Sequence, residues 1–240
     1  MGDDSDMGTL LAKRLRRRGQ HGLGGLSNAL RPPLLVQYGV VADNGGQTTD
    51  RGMPVQRPHR FTVAEYHRMA EAGILGEGSR VELIRGQIVD RTPIGAPHLG
   101  MVNRLTRLLS AILVGHGILS VQNTVRLDDG SELEPDFAVL RPRANDYQTA
   151  TPCPPDVLLL IEVADTSLDD DRAIKAPLYA ENGIAEYWIV NLLNRTVEVY
   201  RQPRNGRYAD IRRAGPGEVL DIVPLPGVAL PAADLFPTLA

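Results

Sequence analysis

The chain has a single cysteine, Cys153, which excludes an internal disulfide; Pro152, Pro154 and Pro155 place it in a loop, without a nucleophile's partners beside it. No stretch approaches eighteen apolar residues, which argues against a membrane-spanning helix. No apolar core follows the N-terminal basic cluster, so neither a secretory nor a transit signal is indicated and a cytoplasmic protein is expected. Basic charge is not in excess either, the formal net charge being −3. Setting aside residues 1–52, with their 7 Lys/Arg and 5 Asp/Glu, leaves 19 basic against 24 acidic residues and a net of −5. Grip on a phosphate backbone then requires a local basic groove. Arg104 and Arg107 on an expected helix, and Arg141 and Arg143 in a loop, are candidates for it, and each reads equally well as an ordinary surface arginine. No zinc finger or recognition helix is evident, so no target sequence can be read.

What is present suits one folded domain. The 42% hydrophobic and 23% charged content is that of an ordinary soluble protein, and 240 residues allow one domain or a small pair. Residues 1–57 stand apart, rich in Gly, Arg, Asp and Gln and without a sustained apolar period. They are expected to form a disordered tail ahead of a domain over 58–240. Arg16-Arg17-Arg18 in that tail reads as a solvated charge cluster, with a nucleic-acid-binding arm as the functional alternative. Met53 is a candidate start of translation; an intact mass of the native protein that includes residues 1–52 would reject it.

The chemistry is carried by an acidic pair. Asp136 lies in Glu134-Pro135-Asp136-Phe137 and Glu162 in Leu160-Ile161-Glu162-Val163-Ala164, and Lys175 follows. The segments over 133–140 and 156–164 are apolar enough to be buried strands. Paired side by side, backbones about 4.8 Å apart bring the two carboxylates to one point when the register allows. Two unit negative charges about 5 Å apart repel by roughly 3 kcal/mol at an effective dielectric near 20, so such a pair invites a cation or a shared proton. Hard oxygen ligands without nearby Cys, and with few His, favour magnesium or manganese over zinc. Two carboxylates and an ammonium together suggest metal-assisted phosphodiester chemistry. Alternation along the strand places Glu162 and Ala164 on one face and Val163 on the other.

Around this pair the expected elements run helix, hairpin, helix, strands, helix, strands. Thr62 caps a helix over 62–72, Glu65 completes a capping box, and Gly73 ends it. Residues 81–84 and 87–90 form a hairpin about Arg85-Gly86. Pro97-His98 opens a helix to about 114 with Leu99, Val102, Leu105, Leu109, Ile112 and Leu113 as its apolar stripe. Strands are expected over 121–127, 133–140, 156–164, 186–190 and 196–201, in an antiparallel ladder of neighbours. A helix spans 171–181, which Pro177 either kinks or begins. The stretch 215–237 reads as short strands and a closing loop.

The pattern Pro135-Asp136, then Glu162-Val163-Ala164, resembles the PD-(D/E)XK nuclease signature with its lysine moved from position 164 to Lys175. The wider run through Asp165-Thr166-Ser167-Leu168, Asp171-Arg172, Leu178-Tyr179-Ala180, Gly183-Ile184 and Glu186-Tyr187-Trp188-Ile189-Val190 is similar to the Uma-type restriction endonuclease family of bacteria. So are Phe61-Thr62-Val63-Ala64-Glu65-Tyr66, Val81-Glu82-Leu83-Ile84-Arg85-Gly86-Gln87-Ile88-Val89, and Pro93-Ile94-Gly95 with His98, so that the resemblance covers about 58–236. Asn191 and Asp165 depart from the family's usual Asp and Ser, and neither is a proposed ligand.

This resemblance implies a mixed α+β protein of the α/β type, a restriction-endonuclease-like core whose central mixed sheet is flanked by helices, with an extra N-terminal helix and hairpin. It implies a metal-dependent endonuclease acting on DNA, with RNA as an alternative substrate. Asp136 and Glu162, with a backbone carbonyl such as that of Val163, would hold Mg2+ or Mn2+, and Lys175 would orient or help deprotonate the attacking water. Read from the residues alone, Lys175 is first a surface lysine paired with Asp171 at i,i+4, and it is the resemblance that turns the reading to catalysis. Glu82 joins the catalytic set on the resemblance only. His98 is a phosphate contact or a capping residue, Asp171 a partner of Lys175 or a helix cap. Tyr179 and Tyr187 read as packing residues with hydrogen-bonded hydroxyls, Trp188 as core. A homodimer, with one site for each strand, is an expectation from the enzyme class. The alternative function is a catalytically silent nuclease fold that binds nucleic acid or regulates, and convergence of Asp136, Glu162 and Lys175 is what separates the two.

Overall fold

The computed structural model describes residues 57–76, 78–91 and 95–237. The Arg16-Arg17-Arg18 cluster, Met53 and Pro93-Ile94 lie outside the described residues, as does nearly all of the expected tail.

Helix α1 (Val63–Glu71) starts as its capping box dictates: Glu65 N–H donates to Thr62 Oγ1 at 3.2 Å, and Thr62 N–H donates to Glu65 Oε2 at 2.9 Å. Strands β1 (Val81–Ile84) and β2 (Gln87–Asp90) form the expected hairpin, with Arg85 at φ 51° and Gly86 at φ 74°. Two left-handed residues match the twist of the flanking strands. In α2 (Ala96–Ile112) the buried stripe is Met101, Val102, Leu105 and Leu109, while Leu99, expected on it, is 53% exposed.

The two long strands expected next are both broken. Instead of one strand over 121–127 there are β3 (Ile118–Val121) and β4 (Val125–Asp128), separated at Gln122, whose φ of 49° turns the chain from one sheet into another. Instead of one strand over 133–140 there are β5 (Ser131–Leu133) and β6 (Phe137–Leu140), parted by Glu134-Pro135-Asp136, where the proline has no N–H to give a ladder. Then come β7 (Val157–Ala164), α3 (Leu168–Asp170), a π-turn over Asp171–Lys175 and α4 (Ala176–Glu181). The chain finishes with β8 (Glu186–Asn191), β9 (Thr196–Arg204), β10 (Arg207–Ala214), β11 (Val219–Asp221), β12 (Ala229–Pro231) and α5 (Ala232–Leu235).

Strand order is β2-β1-β5-β4 in a four-stranded sheet and β10-β9-β8-β7-β6-β3 in a six-stranded one, with β11 and β12 paired on their own. Sequence neighbours pair from β6 to β10, but β3 pairs with β6 and β1 with β5, and β7 and β8 run parallel, so the ladder is not one of neighbours throughout and the larger sheet is mixed rather than wholly antiparallel. A parallel pair cannot be closed by a tight turn, and α3, the π-turn and α4 supply the crossover. The fold is therefore mixed α+β with a central mixed sheet and flanking helices, α1 and the first hairpin being the N-terminal additions.

Period-2 alternation sorts the large sheet's side chains into two apolar layers. Phe137, Val139, Leu159, Ile161, Val163 and Trp188 pack with Leu105 and Leu109 of α2, whereas Ala138, Leu140, Leu160, Ala164, Tyr187 and Ile189 pack with Leu178 and Tyr179 of α4. Glu162 shares the second parity and therefore looks toward α4.

Pro177 falls in the first turn of α4, which is the second of the two expectations for it. Lacking an N–H, it cannot bond back to residue 173, and the Ala176 N–H reaches five residues back to the carbonyl of Asp171. The helix expected over 171–181 is thus a π-turn followed by a short α-helix.

Candidate active site

β6 and β7 are antiparallel with Phe137 opposite Ile161, so the next pair outward sets Asp136 against Glu162 just where β6 begins. Both acids are buried, at 4% exposure each, and both line a cleft of about 250 Å³. Glu82, His98, Val163, Asp171 and Lys175 line the same cleft. All four side chains expected at the site, Asp136, Glu162, Lys175 and Glu82, are therefore brought together.

Asp136 is held by three donors. His98 Nε2 lies 2.9 Å from Oδ2, the Val163 N–H donates to the same oxygen at 2.9 Å, and Gln122 Nε2 donates to Oδ1 at 3.2 Å. Burial would raise its pKa, but these hydrogen bonds and the His98 imidazole hold the carboxyl below its usual value, and Asp136 is an anion.

Glu162 is placed differently. Lys175 Nζ donates to Oε1 at 2.9 Å and the Tyr179 hydroxyl donates to that same oxygen at 3.0 Å. Burial pushes the carboxyl up to about 8; Lys175 pulls the other way, and the charges of Asp136, Asp171 and Glu82 add to the rise. Burial works against the Lys175 ammonium, yet Glu162, Glu82 and Asp171 together hold it above its ordinary value. A lysine so held stays protonated: it can donate hydrogen bonds and charge, but it cannot act as the base that takes a proton from water. That narrows the dual role expected of it from sequence.

Asp171 is 1% exposed and belongs to this network as the partner of Lys175 rather than as a helix cap. Its Oδ1 lies 3.6 Å from Lys175 Nζ, and its Oδ2 accepts from Ser167 Oγ at 2.8 Å. Glu82 Oε1 accepts the Glu134 N–H at 2.9 Å and lies 3.7 Å from Arg91 Nε. Arg91 is tied further to the Glu134 carboxylate. Tyr179 is a hydrogen-bonded packing residue as expected, but among the described residues the buried hydroxyl of Tyr187 has no partner. Trp188 is core, its Nε1 donating to Glu186 Oε1 at 2.7 Å.

Two contacts at the site were not legible in the sequence. His98, expected as a phosphate contact or a capping residue from the resemblance and its place at a helix start, is a partner of Asp136. Nothing in Val121-Gln122-Asn123 announces a contact to Asp136. The arginines named from sequence lie elsewhere: Arg104 donates to the Asp234 carbonyl, Arg141 to that of Pro155, and Arg143 faces Asp156 and the ring of Tyr147. Arg107 is not among the cleft's lining; its cations are Arg80, Arg91 and Lys175.

The donor set suits a hard divalent cation. Among the described residues no hydrogen bond reaches Glu162 Oε2, Asp136 Oδ1 has only the one long contact, and the carbonyl of Val163 lies on the same strand edge as its N–H. No group of three or more His, Cys, Asp or Glu among the described residues is placed to hold a metal, so an ion here would rest on two carboxylates, with backbone and water completing its shell.

The sequence model of the Uma2 family, described as "Putative restriction endonuclease", matches residues 63–233. The chain belongs to the Uma2 family. Among solved structures it is similar to "a putative nuclease belonging to DUF820" from Anabaena variabilis ATCC 29413, with a TM-score of 0.58 and 18% identity, over 73% of this chain and 97% of that one. At that identity the likeness concerns the fold. No curated protein matches. Among the described residues, no helix of this Uma2 member is long and apolar enough to cross a membrane.

Proposed function

We propose that this Uma2 member is a magnesium-dependent endonuclease, able to use manganese, that hydrolyses phosphodiester bonds in cytoplasmic DNA. The observation that carries the reading is the meeting of Asp136, Glu162 and Lys175 in one cleft, with Lys175 Nζ 2.9 Å from Glu162 Oε1. Family membership supports a nuclease, and the donor set supports the metal.

Asp136 and Glu162 are the residues that would hold the ion, with the Val163 carbonyl beside them. When bound, the ion lowers the pKa of a coordinated water and neutralises charge on the scissile phosphate. Asp136 offers an anion already formed, because His98, Gln122 and the Val163 amide stabilise its charge. Glu162 gives up its proton to become a ligand, at a cost that Lys175 and Tyr179 reduce by donating to Oε1. Lys175 stays an ammonium, so it orients the attacking water and stabilises the negative charge of the pentavalent transition state. Glu82 touches no reacting atom in this reading; it fixes Arg91 at the cleft wall and adds negative charge that keeps Lys175 protonated. With one such site among the described residues, a homodimer would let two sites cut the two strands of a duplex.

The test is cleavage of supercoiled plasmid, single-stranded DNA and RNA by the purified protein with magnesium or manganese. Chelator and the Glu162→Ala and Lys175→Ala variants serve as controls. Metal-dependent nicking of DNA that both variants lose supports the reading. Cleavage of RNA alone would change the substrate, and nucleic-acid binding without cleavage would favour a silent fold.

A further inference from the structure

Gln122 is the one site residue whose backbone is out of the ordinary. Its φ of 49° is left-handed, which a side chain larger than hydrogen adopts rarely outside Asn and Asp. Nothing about leaving β3 for β4 requires glutamine there; glycine would take the same turn without steric objection. What glutamine adds is a second hold on a single residue. Its N–H donates to the Asp136 carbonyl at 3.0 Å and its Nε2 to Asp136 Oδ1 at 3.2 Å. An ionised carboxylate only accepts, so the amide must present its nitrogen and not its oxygen. A left-handed backbone kept at a site by a side chain that reaches into that site is the kind of outlier from which function can be argued.

The other Asp136 oxygen is already taken. His98 Nε2 and the Val163 N–H both meet Oδ2, and among the described residues the buried Nδ1 of His98 has no partner. A carboxylate oxygen only accepts, so the His98 Nε2 that meets it carries a hydrogen and donates to Asp136. Oδ2 is thereby filled, and the remaining lone pair of Oδ1 is what Asp136 can offer to an ion. The Gln122 amide decides where that oxygen points.

We propose that Gln122 is a positioning residue: from its left-handed turn it fixes the Asp136 carboxylate so that Oδ1 is presented to the divalent cation. The proposal rests on the metal-dependent reading of the site. Partners of metal-binding carboxylates characteristically change metal affinity by roughly 10–100-fold when removed.

The experiment is calorimetric titration of the full chain with Mn2+, beside its melting temperature and plasmid nicking rate. The variants are Gln122→Gly, Gln122→Glu and, as reference, Asp136→Asn. Gln122→Gly deletes the amide while suiting the backbone, so the melting temperature should hold or rise as Mn2+ affinity falls roughly 10–100-fold. Gln122→Glu keeps the shape but sets a carboxylate against Asp136, and affinity should change at least as much. Wild-type affinity and nicking in both variants, with Asp136→Asn unable to bind, overturns the role of Gln122 and leaves the site reading intact. Affinity that falls only in step with melting temperature makes Gln122 a residue of the fold and also overturns it. If the wild-type chain binds no Mn2+, or Asp136→Asn binds it equally well, the metal-dependent reading fails and takes this inference with it.

Discussion

Lys175 Nζ stands 2.9 Å from Glu162 Oε1 and 3.6 Å from Asp171 Oδ1, so a single ammonium on the crossover segment serves two buried carboxylates. Removing one partner of a buried charge pair typically costs about 3–5 kcal/mol. The proton that Glu162 holds below about pH 8 softens the loss. Lys175→Met, which retains most of the side chain's bulk, should therefore fold, with lowered stability, and cut DNA about 10²–10³-fold more slowly. Urea melts and a plasmid nicking rate measure the two effects. A folded Lys175→Met protein that cuts at the wild-type rate would remove Lys175 from the reaction.

Stability of the metal-free protein should fall as pH rises from about 4.5 to 8. Unfolded, Glu162 titrates near its ordinary 4.5; folded, it is pushed up to about 8 by burial and by neighbouring acids. In that window the folded chain holds a proton that the unfolded chain has released, so stability declines with pH by at most about 1.4 kcal/mol per unit from this group. Asp171 and Glu186, both raised chiefly by burial, add to the same slope. Asp136 is lowered, so its contribution is present above its ordinary 3.8 and is lost only as pH falls through its folded value. Urea melts with EDTA at pH 5, 6.5 and 8 should show the decline, and Glu162→Gln should flatten it. A wild-type stability that climbs from pH 5 to 8 contradicts the assignment.

Legibility in the sequence followed the range of the interactions involved. The hairpin about Arg85-Gly86 and the capping box of Thr62 and Glu65 are local, and their residues name them. That Asp136 and Glu162 could meet was legible from the pairing of their two apolar segments, given the register, which the sequence does not set. The breaks at Gln122 and at Glu134-Pro135-Asp136 were hidden because apolar residues continue on both sides while the chain changes sheets. Hydrophobicity marks burial and not which sheet does the burying. His98 meets Asp136 from 38 residues away and Gln122 from 14, distances at which no periodicity reports a contact. The cleft's arginines were missed for the same reason: Arg80 and Arg91 flank the first hairpin, far in sequence from Asp136 and Glu162, whose cleft they line.

Pro177 sets the turn that carries Lys175. Its ring cannot sit against the carbonyl of residue 173, and in the turn just before it the Ala176 amide reaches back to Asp171; that wider turn determines where Lys175 leaves the backbone. Pro177→Ala restores the donor and lets the segment tighten to ordinary helical spacing, which rotates Lys175 away from Glu162. The melting temperature should hold or rise, since alanine is the better helix former, while nicking slows by about 10²-fold, as expected for a displaced catalytic group. An unchanged rate would show that the π-turn is incidental to the site.

Gly86 and Gly183 separate backbone strain from crowding, because their φ values, 74° and 73°, are nearly the same while their surroundings differ. A Cβ at Gly86 would lie 2.8 Å from Arg60 Cβ and 3.0 Å from both Arg60 Cα and the Phe61 carbonyl oxygen; at Gly183 it would meet nothing within 4 Å among the described residues. Alanine at either position bears the left-handed penalty of about 1–2 kcal/mol. Only at Gly86 does overpacking add about 1–3 kcal/mol more. The Gly86 contacts also tie the hairpin down, since its carbonyl accepts from Phe61 N–H at 2.9 Å and its N–H donates to the Gly130 carbonyl at 2.7 Å. That hairpin carries Glu82 to the cleft, so Gly86→Ala should weaken nicking as well as the fold. Equal unfolding free energies for Gly86→Ala and Gly183→Ala would mean that the contact with Arg60 and Phe61 yields without cost and that the hairpin is not anchored there.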